Sequence, residues 1–495
     1  MKRSPKTNQG STPMKNTDCQ RYTTYRSRRD FLTQSAFGFG ALAAHALLTS
    51  QATLGSGLPS LPHFPPRAKR VIFLFQSGGP SHLELLDPKP GLDKLFDTDL
   101  PDSVRQGQRI TGMVSGQSRL AIQPSKFGFS QCGESGQWIG DLLPYTQKVA
   151  DDICVIRSMI TEAINHDPAI TLFQTGNQIP GRPSIGSWID YGLGSMNENL
   201  PSFMVMNSVP SEGGPDQGLL SRLWSAGFLP SRHQGVLLRG GAQPVLYLAD
   251  PPGISRARRR EMLDGLKRLN QLQLDDSGDP EIETRIAQYE MAFRMQTAVP
   301  ELVDLNDEDE ATLNMYGPAA KVPGSFARNC ILARRMAERG VRFIQLYHRG
   351  WDHHGGLDSR LPVLARDVDQ PSAALIQDLK QRGMLDDTLV IWGGEFGRTV
   401  YAQGGANREN YGRDHHGKAF SLWLAGGGIR GGLSYGATDD FGFNVVDRPT
   451  HIRDFHATLL HLLGIDHERF TAKMQGLDAR LTGVEPCHVL DEIIA

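Results

Sequence analysis

Two short stretches of this chain concentrate residues that can hold a metal ion. "GWDHHGG" (350–356) sets Asp352, His353 and His354 side by side between glycines, and "YGRDHHGKAF" (411–420) does the same with Asp414, His415 and His416. "NHDPAITLFQTG" (165–176) adds His166 and Asp167, and "GEFGRT" (394–399) adds Glu395 and Arg398. A donor set of imidazoles and carboxylates, with no thiols nearby, suits zinc or manganese better than calcium, which favours all-oxygen shells. The candidate ligands are therefore His166, Asp352, His353, His354, Glu395, Asp414 and His415. Arg398 and Arg413 flank these groups and could clamp a tetrahedral anion bidentately, or form ordinary salt bridges with Glu395 or Asp414. His82 and Asp87, in the loop "QSGGPSHLELLDPKP", could supply a further ligand or belong to a purely structural turn. His456 and His461 lie in an otherwise apolar helical stretch and read as core or surface side chains.

Clusters so far apart in sequence need a scaffold that brings them together. The apolar runs "RVIFLF" (70–75), "DICVIR" (152–157), "SFMVMN" (202–207), "VRFIQLY" (341–347), "DTLVIW" (387–392) and "FSLWLA" (420–425) are continuous and bounded by glycine or charge, as strands buried on both faces are. Helical patterns lie between them. Ser325 opens one that stops at Gly340, and Thr450 opens another that stops at Gly464. This alternation predicts an α/β sheet covered on both faces. In such sheets chemistry collects in loops beyond the carboxyl ends of the strands, which is where the polar clusters fall. Residues 210–318 break the rhythm with charge, proline and helical stretches near 255–274 and 280–296, and read as an insertion or cap on one core.

Composition sets outer limits. The chain has 495 residues, 39% hydrophobic and 21% charged, enough for a sizeable core. Its 52 basic and 54 acidic side chains nearly cancel, so no global field draws it to nucleic acid or an anionic membrane. "SRRDFL" (27–32), with Arg28 and Arg29, precedes an apolar stretch too short to span a bilayer and a small-residue site, "SQA", at 50–52. Residues 1–52 are thus expected to be a twin-arginine signal peptide, leaving no membrane span after its removal and a final location in the periplasm or at the cell surface. Residues 53–69 read as a linker and 70–495 as the folded domain. Cys19 falls in the leader, while Cys132, Cys154, Cys330 and Cys487 lack metal-ligand spacing and read as one or two disulfides or as buried free thiols.

Taken together, "GGPSHLELLDPKP", "GWDHHGG", "GEFGRT", "GRDHHGKAFSLWLAGGGIRGG" and "FHATLLHLLGID" resemble domain-of-unknown-function family 1501, exported proteins similar to the alkaline phosphatase and sulfatase superfamily. The resemblance covers nearly all of the chain beyond the leader. It implies an alkaline phosphatase-like three-layer sandwich, with a mostly parallel central sheet and helices on both faces. It also implies metal-dependent hydrolysis of phosphate or sulfate esters of small molecules or glycans. That superfamily holds its first metal with an Asp, a nearby His and a later His, positions matched here by Asp352, by His354 or His353, and by His415. Its second site looks depleted: Glu395 and Phe396 stand where an Asp and its partner are expected, and Ser77 stands in place of a first-strand acid. Sulfatases carry their modified cysteine two residues before a proline that opens a helix ending in Thr-Gly. Pro168 to Gly176 keeps that spacing, and His166 occupies the cysteine's position. The resemblance leaves His166 as a nucleophile, a replacement ligand or a helix-capping residue, with His166 or Glu395 assisting proton transfer. A non-catalytic metal-binding or glycan-binding protein that kept the fold is the rival expectation.

Overall fold

The computed structural model describes residues 57–212, 218–241, 243–246 and 248–495. The expected signal peptide lies outside the described residues. Ten strands concern the site: β1 (Arg70–Gln76), β2 (Ile153–Ile160), β3 (Phe203–Ser208), β4 (Val236–Leu238), β5 (Phe343–His348), β6 (Thr388–Gly393), β7 (Gly397–Ala402), β8 (Arg413–His416), β9 (Phe420–Ala425) and β10 (Leu433–Tyr435). All six apolar runs singled out in the sequence form strands of one sheet.

Its order is β10-β2-β9-β6-β1-β5-β3-β4, with Thr450–His451 pairing β2 at the side. Neighbours run parallel except around β9, which is antiparallel to both β2 and β6. At the centre β1 pairs β5 from Val71↔Phe343 to Gln76↔His348, and β6 from Arg70↔Thr388 to Phe75↔Gly393. These three strands therefore deliver their carboxyl ends to one place. The hairpin of β7 and β8 stands apart from this sheet, pairing Arg398 with His415.

Side chains alternate across β1. Ile72 and Leu74 join a core with α5 (Phe326–Glu338) and α6 (Leu357–Gln381), while Val71, Phe73 and Phe75 join a core with α1 (His166–Thr175), α2 (Ile185–Leu193) and α7 (Ile452–Leu462). The result is the expected three-layer α/β arrangement, a mostly parallel sheet with helices on both faces.

Local signals account for most boundaries. Ser325 caps α5 by accepting the Arg328 N–H, and Gly340 beyond its end has φ of 78°. The start of α7 lies one residue past the expected Thr450. His451 accepts the Arg453 N–H, and Asp454 accepts the His451 N–H to complete a capping box. Within 210–318 the long helices are α3 (Arg256–Ser277) and α4 (Pro280–Val303), but the segment also supplies β4, and Met295, Val299 and Leu302 of α4 enter the core on one sheet face. Residues 57–69 are held by backbone hydrogen bonds from Leu58 to Gly192 and from Arg67 and Ala68 to Leu462. Cys132, Cys154 and Cys330 are buried free thiols, and Cys487 is a half-buried one. No helix among the described residues is long and apolar enough to cross a membrane.

Candidate metal centre

Three strand ends and one helix start meet at the site. The turn after β1 passes through Gly78 and Gly79, with φ of 121° and 68°; a Cβ on Gly79 would stand 2.7 Å from the Phe396 ring. This close approach lets the Gly78 N–H reach both carboxylate oxygens of Glu395, at 3.0 and 3.2 Å. The loop after β5 carries Asp352 and His354, the β7–β8 hairpin carries Arg398 and His415, and His166 opens α1. Gly412 makes room for the hairpin, because a Cβ there would lie 2.0 Å from the backbone of His354.

One ligand atom each from His166, Asp352, His354 and His415 lie within 4.8 Å of one another. Asp352 Oδ1 is the hub. His354 Nε2 stands 2.9 Å from it, His166 Nε2 3.2 Å and His415 Nε2 3.3 Å, with His354 and His415 Nε2 3.0 Å apart. The other ring nitrogen of each histidine faces an oxygen acceptor. His166 Nδ1 is 2.6 Å from Glu395 Oε1, His354 Nδ1 2.5 Å from Gln403 Oε1, and His415 Nδ1 2.8 Å from the Ile164 carbonyl. A carboxylate or carbonyl oxygen only accepts, so each Nδ1 carries the proton, and in the neutral ring Nε2 presents its lone pair inward. Three lone pairs and a carboxylate oxygen at these separations repel one another unless a cation lies among them.

The spacings fit a metal. Tetrahedral zinc with Zn–N bonds of about 2.0–2.1 Å sets ligand atoms about 3.3 Å apart, close to the four distances above within a set that spreads to 4.8 Å. The Nδ1 partners are the oriented outer layer that metal-binding histidines have. Burial opposes ionisation of Asp352, yet the three imidazoles and Arg398 hold its carboxyl far below the usual carboxylate range. Burial and the Arg398 charge together push His415 down to about 4 despite Asp352, keeping the ring neutral. Burial also opposes a charge on His166, but Asp352 and Glu395 outweigh it and raise its pKa, so this corner of the cluster draws positive charge.

Not every expected residue joins the cluster. Glu395 is fully buried and binds Gly78 and His166, so it orients a ligand instead of meeting metal or substrate. Arg398 is not an anion clamp. Its Nε donates to the Gly79 carbonyl, Nη1 to that of Arg413, and Nη2 to the carbonyls of Gly78 and Trp351 and to Asp352 Oδ1 at 2.8 Å. It therefore fixes Asp352 and the turn after β1. Arg413 is fully buried against Glu84, 2.6 Å away. Strand alternation turns Asp414 away from His415, toward Thr111, with its other oxygen on the His415 N–H. His353 points into the interior, where burial and then the Arg398 charge lower its pKa to about 3, while its carbonyl accepts the Arg413 N–H. His82 bonds the Gly442 carbonyl and Asp87 pairs with Lys89 and Thr438, both outside the cluster. Asn165, not His166 or Asp167, holds the cap position of α1, and Asp167 pairs with Arg222. His456 bonds the Phe173 carbonyl and His461 packs on Phe64. Gln403 and the Ile164 carbonyl are new members. No local pattern marks them, although Gln403 could have been sought at the end of a strand paired with "GRDHH".

These features describe an α/β protein with a candidate metal cluster at the carboxyl ends of its central strands. The chain belongs to the family described as "Protein of unknown function (DUF1501)", which matches residues 68–494. No curated protein matches it. Among solved structures it is similar to a phosphonate monoester hydrolase from Silicibacter pomeroyi, at 12% identity over 80% of this chain and 73% of that one, with a TM-score of 0.33. It is also similar to the PsFucS1 sulfatase from Pseudoalteromonas sp., at 13% identity over 81% and 69%, with a TM-score of 0.32. A third is alkaline phosphatase from the Antarctic bacterium TAB5, at 10% identity over 73% and 92%, with a TM-score of 0.26.

Proposed function

We propose that this chain is an exported, metal-dependent hydrolase of phosphate or sulfate esters, similar to alkaline phosphatases and sulfatases, acting on small molecules or glycans. His166, Asp352, His354 and His415 would hold one divalent cation, zinc or manganese. The observation that carries this reading is the convergence of three Nε2 atoms on Asp352 Oδ1, each ring locked by an oxygen on its Nδ1. A cation so held supplies Lewis-acid polarisation of an ester oxygen and lowers the pKa of water.

The chain's own residues divide the remaining work. Arg398 orients Asp352, and Glu395 fixes the tautomer of His166. His354, with 25% of its side chain exposed, and His166, with 17%, form the open side, whereas His415, at 4%, lies beneath. A substrate therefore enters past His354. There an open cleft of about 630 Å³ is lined by Gly355, Gly356, Asp358, Ser359, Arg360, Glu409 and Asn410. Arg360 is exposed on the first turn of α6, where its guanidinium can receive an ester's anionic group.

His166 serves this reading as a ligand, since Glu395 holds its Nδ1 and its buried Nε2, 3.2 Å from Asp352 Oδ1, has no hydrogen-bond partner of its own. The second reading, a non-catalytic metal-binding or glycan-binding protein, is favoured by the position two residues before Pro168, where His166 stands in place of a sulfatase's cysteine. Metal analysis followed by a panel of phosphate and sulfate esters separates the two. Metal-loaded protein should hydrolyse at least one ester, with the rate lost in His166→Ala together with the metal. A loaded protein inert toward the whole panel leaves the binding reading. Export is tested separately: replacing Arg28 and Arg29 by Lys should retain unprocessed precursor in the cytoplasm, and normal processing would remove the twin-arginine reading.

A further inference from the structure

α3 and α4 form a helical pair whose facing sides are well filled. Leu263 of α3 and Ile282 and Ile286 of α4 are buried, and Arg260 of α3 forms a two-pronged salt bridge with Glu290 of α4, at 2.8 and 2.7 Å. Arg256 and Arg260 also lie over the Phe293 ring, at 4.6 and 4.9 Å from its centroid. The opposite side of α3 is unusual for a surface. Met262 is 49% exposed, Leu266 40%, Leu269 65% and Leu272 68%. Met262, Leu266 and Leu269 follow a four-then-three spacing that continues to Arg259 before and to Gln273 and Asp276 after, a coiled-coil spacing over residues 259–276 of the 22-residue helix with its three apolar positions in the first two-thirds.

We propose that this face is a homodimer interface, in which α3 of two copies packs antiparallel about a twofold axis. The pattern is complementary to itself read backwards. With the axis between Lys267 and Arg268, Leu266 of one copy meets Leu269 of the other, Met262 meets Gln273, and Arg259 meets Asp276. Both ends then close with opposite charges, Arg259 meeting Asp276 while its Nε stays 3.9 Å from Asp250 of its own chain, whereas a parallel pairing would set each charge against its like. Gly265 gives a second observation. It costs stability in mid-helix, and a Cβ there would meet nothing within 4 Å, so nothing in its own chain requires a glycine. In the antiparallel pair the exposed Leu272 of the partner falls opposite that gap.

The full mature protein should show concentration-dependent dimerisation by sedimentation across roughly 1–100 μM, the range in which a small helix-pair interface is half formed. Leu266→Glu with Leu269→Glu should weaken association about 100-fold or more, with an unchanged circular dichroism spectrum, because both side chains are exposed in the single chain. Asp276→Arg alone should weaken it, and adding Arg259→Asp should restore it, since the pair of charges has only changed ends. A wild type that stays monomeric, a dimer indifferent to the Leu variants, or no rescue by the second charge reversal would overturn the proposal. So would a monomer that binds phosphatidylglycerol vesicles through this face, because the basic first half of α3 would then be serving a membrane.

Discussion

Replacing Glu395 by Gln perturbs the site without touching a ligand. The carboxylate accepts from two directions, with Oε1 on His166 Nδ1 at 2.6 Å and both oxygens on the Gly78 N–H. An amide offers one oxygen, and its NH2 must then face a donor. The partner of a metal-binding imidazole is worth about 10–100-fold in metal affinity, or about 1.4–2.7 kcal/mol. In saturating metal that difference appears as lost ligand-linked stability. For a domain of this size it corresponds to a fall of about 1.5–3 °C in the metal-induced rise of Tm. The assay is a competition titration of zinc against a chelator for wild type and variant, with thermal unfolding of each protein loaded and stripped. His461→Ala, on a ring that packs against Phe64 away from the cluster, is the control and should match wild type. An unchanged zinc affinity in Glu395→Gln would refute the assignment of Glu395 as the group that holds His166 in place.

Two further outcomes follow from groups outside the cluster. Glu84 and Arg413 are both fully buried and pair at 2.6 Å, so Glu84→Ala should strand the guanidinium and cost about 3–5 kcal/mol in urea unfolding; a loss below about 1 kcal/mol would contradict it. Burial opposes charge on Glu162, but His451 and Arg453 outweigh it and hold the carboxyl down at about 2. A depressed carboxyl stabilises above its unfolded pKa of about 4.3 and loses that contribution as pH falls toward the folded value. The Tm gap between wild type and Glu162→Gln should therefore be widest near neutral pH and shrink below about pH 4, and a gap constant with pH would reject the pairing.

Much of this architecture was legible in the sequence, for a simple reason. A strand buried on both faces must be apolar at every position, so the runs at β1, β2, β3, β5, β6 and β9 stood out without any tertiary information. The Ser325 cap and the Gly340 stop are equally local. The donor types were legible too, but not which way each side chain points. Adjacent residues in "DHH" compete for one inward direction, and the choice of His354 over His353 depends on the Arg413 N–H that holds the His353 carbonyl, some sixty residues away. Alternation along β8 could have separated His415 from Asp414, had "RDHH" been read as a strand. The burial of Arg398 and the carbonyls gathered around it could not be read at all, since those carbonyls come from the turn after β1, the loop after β5 and β8, which only the fold brings together.

The central claim is that His166, Asp352, His354 and His415 form one metal site, and metal content tests it most directly. Elemental analysis of the full protein, purified after native export, should find about one equivalent of zinc or manganese per chain. The His354→Ala/His415→Ala double variant, with its fold verified by circular dichroism, should retain less than about a tenth of that. Wild type that carries no metal and takes up neither ion on incubation, or a double variant that carries as much as wild type, would contradict the account.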